Sequence, residues 1–224
     1  TPVEGYLEAR GLALARLPQV KHVLRFHGRL MYGKEAFYPA MVAAVQLQEG
    51  EHRRIVGIHR TYLEVKPITS DPVVGAALKA FPQSMVVEGP KEFVTKAPVE
   101  PAKKMLGPCN GGAVRFAAAA PVLCIAEGIE TALSVMQATD LPTWAALSLG
   151  GMASVVLPKQ VKEVILCADS DAKDVEAAEK ALLRAAERHR LAGREVRIAH
   201  ATEGQDFNDM LVEGAEDEDE SDTE

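Results

Sequence analysis

A chain of 224 residues that is 47% hydrophobic and 25% charged is long enough to bury a core and too apolar for wholesale disorder. No run approaches the roughly 18 apolar residues of a membrane-spanning helix, and Cys109, Cys124 and Cys167 lack the pairing of a disulfide framework or a Cys-x-x-Cys zinc ribbon. The net charge of −7 lies wholly in the last eleven residues, GAEDEDESDTE, leaving a basic half (15 Lys/Arg against 10 Asp/Glu in 1–107) ahead of an acidic one (10 against 15 in 108–213).

The start at Thr1, without a methionine or an apolar leader, reads as a piece of a longer polypeptide, and cytoplasmic is the default location. TPVEGYLEARGL opens with a short helix. YPAMVAAVQLQ (38–48) and RRIVGIHRTYLEV (53–65) alternate as strands do, and the polar EGEH between them predicts an antiparallel hairpin. The proline-rich segment 82–108 reads as a linker or irregular excursion.

From there strand and helix signals alternate. PVLCIAE (121–127) is a buried strand, GIETALSVMQATD a helix, TWAALSLGG (143–151) a second strand closed by Gly-Gly, and EVILCADSD (163–171) a third. Residues 174–193 form the clearest helix, with Arg188, His189 and Arg190 near its end and Gly193 as its stop; 194–201 is a fourth strand and DFNDMLVEG a last short helix. This order predicts an α/β fold: a mostly parallel sheet flanked by helices (108–213), preceded by a smaller α+β subdomain with an antiparallel hairpin (1–107) and followed by a disordered acidic tail (214–224).

In a parallel sheet, chemistry gathers beyond the carboxyl ends of the strands. Three acidic features fall there: Glu127 before Gly128, Asp169 with Asp171, and Asp206 with Asn208 and Asp209. Singly, each has a plain structural use, Glu-Gly as a turn and Asp171 or Asp174 as a helix cap. Together they repel unless a cation sits among them, and hard oxygen ligands suit Mg²⁺ or Mn²⁺ with phosphate oxygens completing the shell. Such a site serves phosphoryl transfer. His27 and His59 read as packed or surface histidines. Trp144, Cys124 and Cys167 read as core.

IAEGIETALS followed some 40 residues later by VILCADSD resembles the Toprim domain (a Rossmann-like fold) of DnaG-type primases, topoisomerases and OLD-type nucleases, over about 115–213. The resemblance implies Glu127 as catalytic or metal-binding acid and Asp169 and Asp171 as catalytic metal ligands. RFHGRLMY, the hairpin and KKMLGPCNGGAVRF follow the order of the primase RNA-polymerase core, and GQDFND resembles its late Gly-x-Asp-x-Asp element. By position this adds Asp206 and Asn208 to the metal site. It assigns Arg25, Arg60 and Lys103 or Lys104 to template or nucleotide, although the basic half also reads as a solvated face.

The best match is the primase-like proteins of phages, plasmids and integrated elements. It implies a Mg²⁺- or Mn²⁺-dependent nucleotidyltransferase that makes short RNA primers on single-stranded DNA from ribonucleoside triphosphates, alongside a replicative helicase, with no membrane role. Two departures stand out: Thr131 occupies the place of a family acid, beside Glu130, and Asn208 the place of the second late acid, beside Asp209. A Toprim nuclease and a non-catalytic nucleic-acid-binding module are the alternatives.

Overall fold

The computed structural model describes residues 1–67, 92–170, 172 and 174–221. Helix α1 (Pro2–Glu8) starts from a reciprocal cap in which Thr1 and Glu4 bond each other's backbone, and it buries Val3, Tyr6 and Leu7. A short α2 (Val20–Val23) leads into β1 (Leu24–Tyr32). The predicted hairpin is β2 (Ala36–Glu49) and β3 (His52–Pro67), turning at Gly50 with φ +61°.

Strand β1 carries no clear alternation because it is an exposed edge whose register slips between His27 and Leu30. The expected linker is only partly one. Residues 82–91 of it lie outside the described residues, while β4 (Glu92–Lys96) and β5 (Lys103–Leu106) both pair antiparallel with β3. Pro98, Pro101 and Pro108 flank these strands instead of interrupting them.

The second sheet has the order β10-β9-β7-β8-β6. Strands β7 (Val122–Ala126), β8 (Thr143–Ala145), β9 (Glu163–Ala168) and β10 (Glu195–His200) are parallel, and β6 (Val114–Arg115) closes one edge antiparallel to β8. Helix α3 (Ile129–Thr139) follows β7. The expected strand 143–151 ends at Ala145. Ser148 instead caps α4 (Leu149–Ser154), accepting from the Gly151 N–H at 2.9 Å. Glycine is required there, since a Cβ on Gly151 would stand 2.0 Å from the Ala146 carbonyl oxygen.

Helix α5 (Val175–Leu191) is capped by Asp174 as its sequence suggests. The last helix, α6 (Phe207–Ser221), runs past its expected short length into the acid-rich segment. No helix among the described residues is long and apolar enough to cross a membrane.

The two halves share one core. Tyr6, Leu7 and Leu12 pack in a single cluster with Ile129, Leu133 and Cys124, while Trp144 and Leu182 belong to a second cluster that includes Ala185 and Leu123. Each large side chain so buried contributes about 2 kcal/mol. Trp144 and the free thiols Cys124 and Cys167 are core residues, as expected.

Gly57 sets how closely β5 approaches β3: an added Cβ would lie 2.3 Å from the Leu106 carbonyl oxygen and 2.4 Å from Cys109 Sγ. Gly57→Ala is expected to destabilise the chain by about 2 kcal/mol, read as a lowered urea midpoint with unchanged slope.

Candidate active-site cleft

A cleft of 270 Å³ opens beyond the carboxyl ends of the parallel strands, at the seam between the two halves. The parallel sheet supplies an acidic wall. Glu127 follows β7, Asp169 follows β9 and Asp206 follows β10, and all three line the cleft with Gly128, Thr131 and Leu147. Leu147 holds a left-handed φ of +72°, a strained backbone for a branched side chain and one often found at functional sites. The N-terminal half supplies the opposite wall with Arg10, His59, Lys96 and Lys103.

Asp169 is the most constrained acid. Its Oδ2 accepts the Thr131 hydroxyl at 3.0 Å, while its Oδ1 is buried without a partner. Burial pushes its pKa up to about 6; the Asp206 and Glu127 carboxylates add to the rise, and the Thr131 hydroxyl and the Phe207 backbone N–H oppose it. Asp206 caps α6, with Oδ1 accepting the backbone N–H of Asn208 and of Asp209 at 2.8 Å each, and its Oδ2 stands 4.0 Å from Arg10 Nη2. Asp171 lies outside the described residues.

Asn208 is not among the residues lining the cleft. It is 4% exposed, and its amide nitrogen donates to the Arg10 carbonyl at 2.7 Å and to Ser134 Oγ at 3.2 Å, tying α6 to the N-terminal segment. The two neighbouring acids are also engaged. Asp209 Oδ2 accepts the Asp206 N–H at 3.1 Å. Glu130 accepts Lys103 Nζ at 2.8 Å and the Tyr6 hydroxyl at 2.8 Å. Burial works to raise the Glu130 pKa, but Lys103 at contact, helped by Lys96 and Tyr6, holds it at about 2.

Strand alternation sorts the basic residues. On β3 and β5, His59 and Lys103 face the cleft, while Arg60 and Lys104 pair on the opposite face. There Lys104 Nζ sits 3.5 Å from the centroid of the Tyr32 ring, and Arg60 donates to the Met105 carbonyl at 3.3 Å. Arg25 is exposed on β1 and donates to the carbonyls of Lys21 and Leu24. Of the four basic residues implied by resemblance, Lys103 alone lines the cleft.

Arg10 and Lys96 were not singled out by sequence, and His59 was read as packed or surface. His59 is buried at the cleft wall, and burial pushes its pKa down to about 4, so it is neutral near pH 7. The strand alternation around His59 was the available signal. For Arg10 there was none, because it meets Asp206 across nearly the whole chain.

Oxygen donors suit a hard divalent cation, and a buried Asp169 oxygen without a partner, with two more carboxylates raising its pKa, fits a missing positive charge. Among the described residues no group of three acids, histidines or cysteines is gathered closely enough to hold a metal ion. Glu130→Gln, which keeps the volume but leaves Lys103 without its counter-charge, is expected to cost about 2 kcal/mol of stability. Chemical denaturation of the variant beside Tyr6→Phe checks this.

Residues 122–217 match the family model described as the Toprim domain, and residues 1–82 match a domain of unknown function, DUF7146. No curated protein matches the chain. Among solved structures, the DnaG catalytic core is 14% identical with a TM-score of 0.53, covering 95% of this chain and 68% of that one. A DNA primase domain from Pseudomonas aeruginosa is 13% identical with a TM-score of 0.46, covering 92% and 65%. The zinc-binding and RNA polymerase domains of Aquifex aeolicus primase are 16% identical with a TM-score of 0.43, covering 85% and 42%. Residues 122–217, in the sheet that carries Glu127 and Asp169, are thus a Toprim domain, and the chain shares the fold of the DnaG catalytic core.

Proposed function

We propose that the chain is the catalytic core of a primase-like nucleotidyltransferase that extends short RNA primers on a single-stranded DNA template. The observation that carries this reading is the two-sided cleft, with carboxylates from the Toprim half facing cations from the N-terminal half across one 270 Å³ space. A nucleoside triphosphate needs both. Replication of a phage, plasmid or integrated element, with a replicative helicase alongside, is the setting implied by the resemblance.

Glu127, Asp169 and Asp206 line the cleft without gathering into a metal cluster of their own, and with Asp171, on the strength of the resemblance, they would hold Mg²⁺ or Mn²⁺. Such an ion would supply positive charge against the charge that develops on a transferring phosphoryl group. Thr131 fixes the Asp169 carboxylate by one hydrogen bond, so Asp169 is oriented before substrate arrives. Lys103 and Arg10 meet phosphate oxygens as cations from the facing wall, and neutral His59 adds a hydrogen-bonding group without charge.

Full-length protein given labelled ribonucleotides, single-stranded DNA, Mn²⁺ or Mg²⁺ and a helicase partner is expected to incorporate label. Asp169→Ala should reduce incorporation at least about 100-fold. Shortened strands without added nucleotides would instead assign a Toprim nuclease. No product on any template would sink both enzymatic readings.

One observation favours a second reading, a non-catalytic nucleic-acid-binding module: Thr131 stands where the family pattern has an acid. Calorimetric titration with Mn²⁺ separates the two. The catalytic reading expects binding that Asp169→Ala removes and Thr131→Asp tightens by about tenfold, as another carboxylate joins the site. A wild-type chain that takes up no Mn²⁺ would favour the module.

A further inference from the structure

The parallel sheet has a second charged hollow at its other end. Ala118 and Ala119 precede β7, and Pro158, Lys159 and Gln160 precede β9, so a cavity of 790 Å³ between them opens at the amino ends of the strands. The far tip of the β2–β3 hairpin, Gln48 to Arg53, forms its remaining wall. Arg53 is six residues along β3 from His59, about 20 Å of extended strand. The hollow is therefore separate from the carboxylate cleft.

Its distinguishing group is Arg115. This guanidinium is 8% exposed, lies 3.9 Å from the centroid of the Trp144 ring and donates from Nη1 to Gln48 Oε1 at 2.8 Å. Its Nε has no partner, and among the described residues it makes no ion pair. Burial pushes its pKa down to about 10, and the charged neighbour that adds to this is another cation, Arg53. A buried charge without a counter-charge is costly. Here the ring and Gln48 hold the guanidinium in place while its charge stays unbalanced.

The rim carries Arg53, Lys159 and His52 against one acid, Glu51. Arg115, Arg53 and Lys159 facing a single carboxylate suit a multiply charged anion better than a lone carboxylate. A fixed guanidinium fork also matches the oxygens of a phosphate. We propose that this hollow is a phosphate-binding site, with Arg115 as its anchor and Arg53 and Lys159 closing over the bound group. The phosphate comes either from a nucleic-acid backbone or from a free phosphate or nucleotide, and the chemistry of recognition is the same.

Trp144 is the chain's lone tryptophan and carries Arg115 on its face, so its fluorescence reports on the hollow. Titrating full-length protein with sodium phosphate at fixed ionic strength, with EDTA present, is expected to give a saturable change. Asp169→Ala should leave that change intact, which separates this site from the metal cleft. The double variant Arg53→Glu, Lys159→Glu alters only exposed side chains, so it should fold normally while weakening binding by about tenfold or more. Arg115→Lys, which keeps the charge but loses the fork, should also weaken it.

An oligothymidylate without terminal phosphate identifies the source. If it binds, and the rim variant lowers the salt-dependence slope by about 1 or 2, the ligand is a strand. If only inorganic phosphate or ATP gives a rim-dependent response, the ligand is free. A chain that responds saturably to neither probe, or whose response survives the rim variant unchanged, overturns the proposal.

Discussion

The contact between Glu130 and Lys103 is the constraint on which the cleft depends. Glu130 lies in the first turn of α3 in the Toprim half, 3% exposed, and it stays ionised because Lys103 from β5 and Tyr6 from α1 both reach it. Removing either partner strands a buried carboxylate, which is far costlier than losing a surface pair. Three segments remote in sequence are thereby held at one point. The pair sets the spacing of the two walls, and the Lys103 side chain, 37% exposed, still faces the cleft. An incoming anion would compete with Glu130 for an ammonium already in position.

The acidic wall was legible in the sequence because Glu127 and Asp169 directly end strands and Asp206 opens the helix after the last one. An apolar run followed by Glu127, Asp169 or Asp206 is a local pattern, and a parallel sheet brings such ends together whatever the details of packing. The basic wall was not legible. Lys103 and Lys104 differ in sequence by one place, yet the register of β5 on β3 sends one to the cleft and the other to the Tyr32 face. That register is a property of strand pairing, and no periodicity in KKML encodes it. Gly150 and Gly151 misled for a related reason: they read as a turn, while the close approach of the Ala146 carbonyl places them inside α4.

The departures from the family pattern act together. Thr131 places a donor beside Asp169 where an acid would add repulsion, and the Asn208 amide serves as a tether instead of a charge. Asp209 and Glu130, the acids that stand next to those positions, are both spent on internal contacts. The result is a cleft with fewer free negative charges than the pattern implies. Such a cleft repels itself less when empty, and for the same reason attracts a divalent ion less strongly.

The two ends of the parallel sheet treat buried charge in opposite ways. At the carboxyl end, Glu130 and Lys103 largely neutralise each other within the protein, so the charge of that pair is met before any ligand binds. At the amino end, Arg115 is buried with Arg53 near it, and among the described residues no carboxylate pairs with it. Desolvation cost is thus met internally for Glu130 and left open for Arg115. Strand β3 spans both, carrying Arg53 toward the hollow and His59 toward the cleft, and its register with β2 shifts between the two, at Val45 and Gln46. A one-residue slip on either side of that shift would turn the side chain it carries to the other face. The hairpin's pairing, more than any single side chain, is what keeps the two charged regions on the same scaffold.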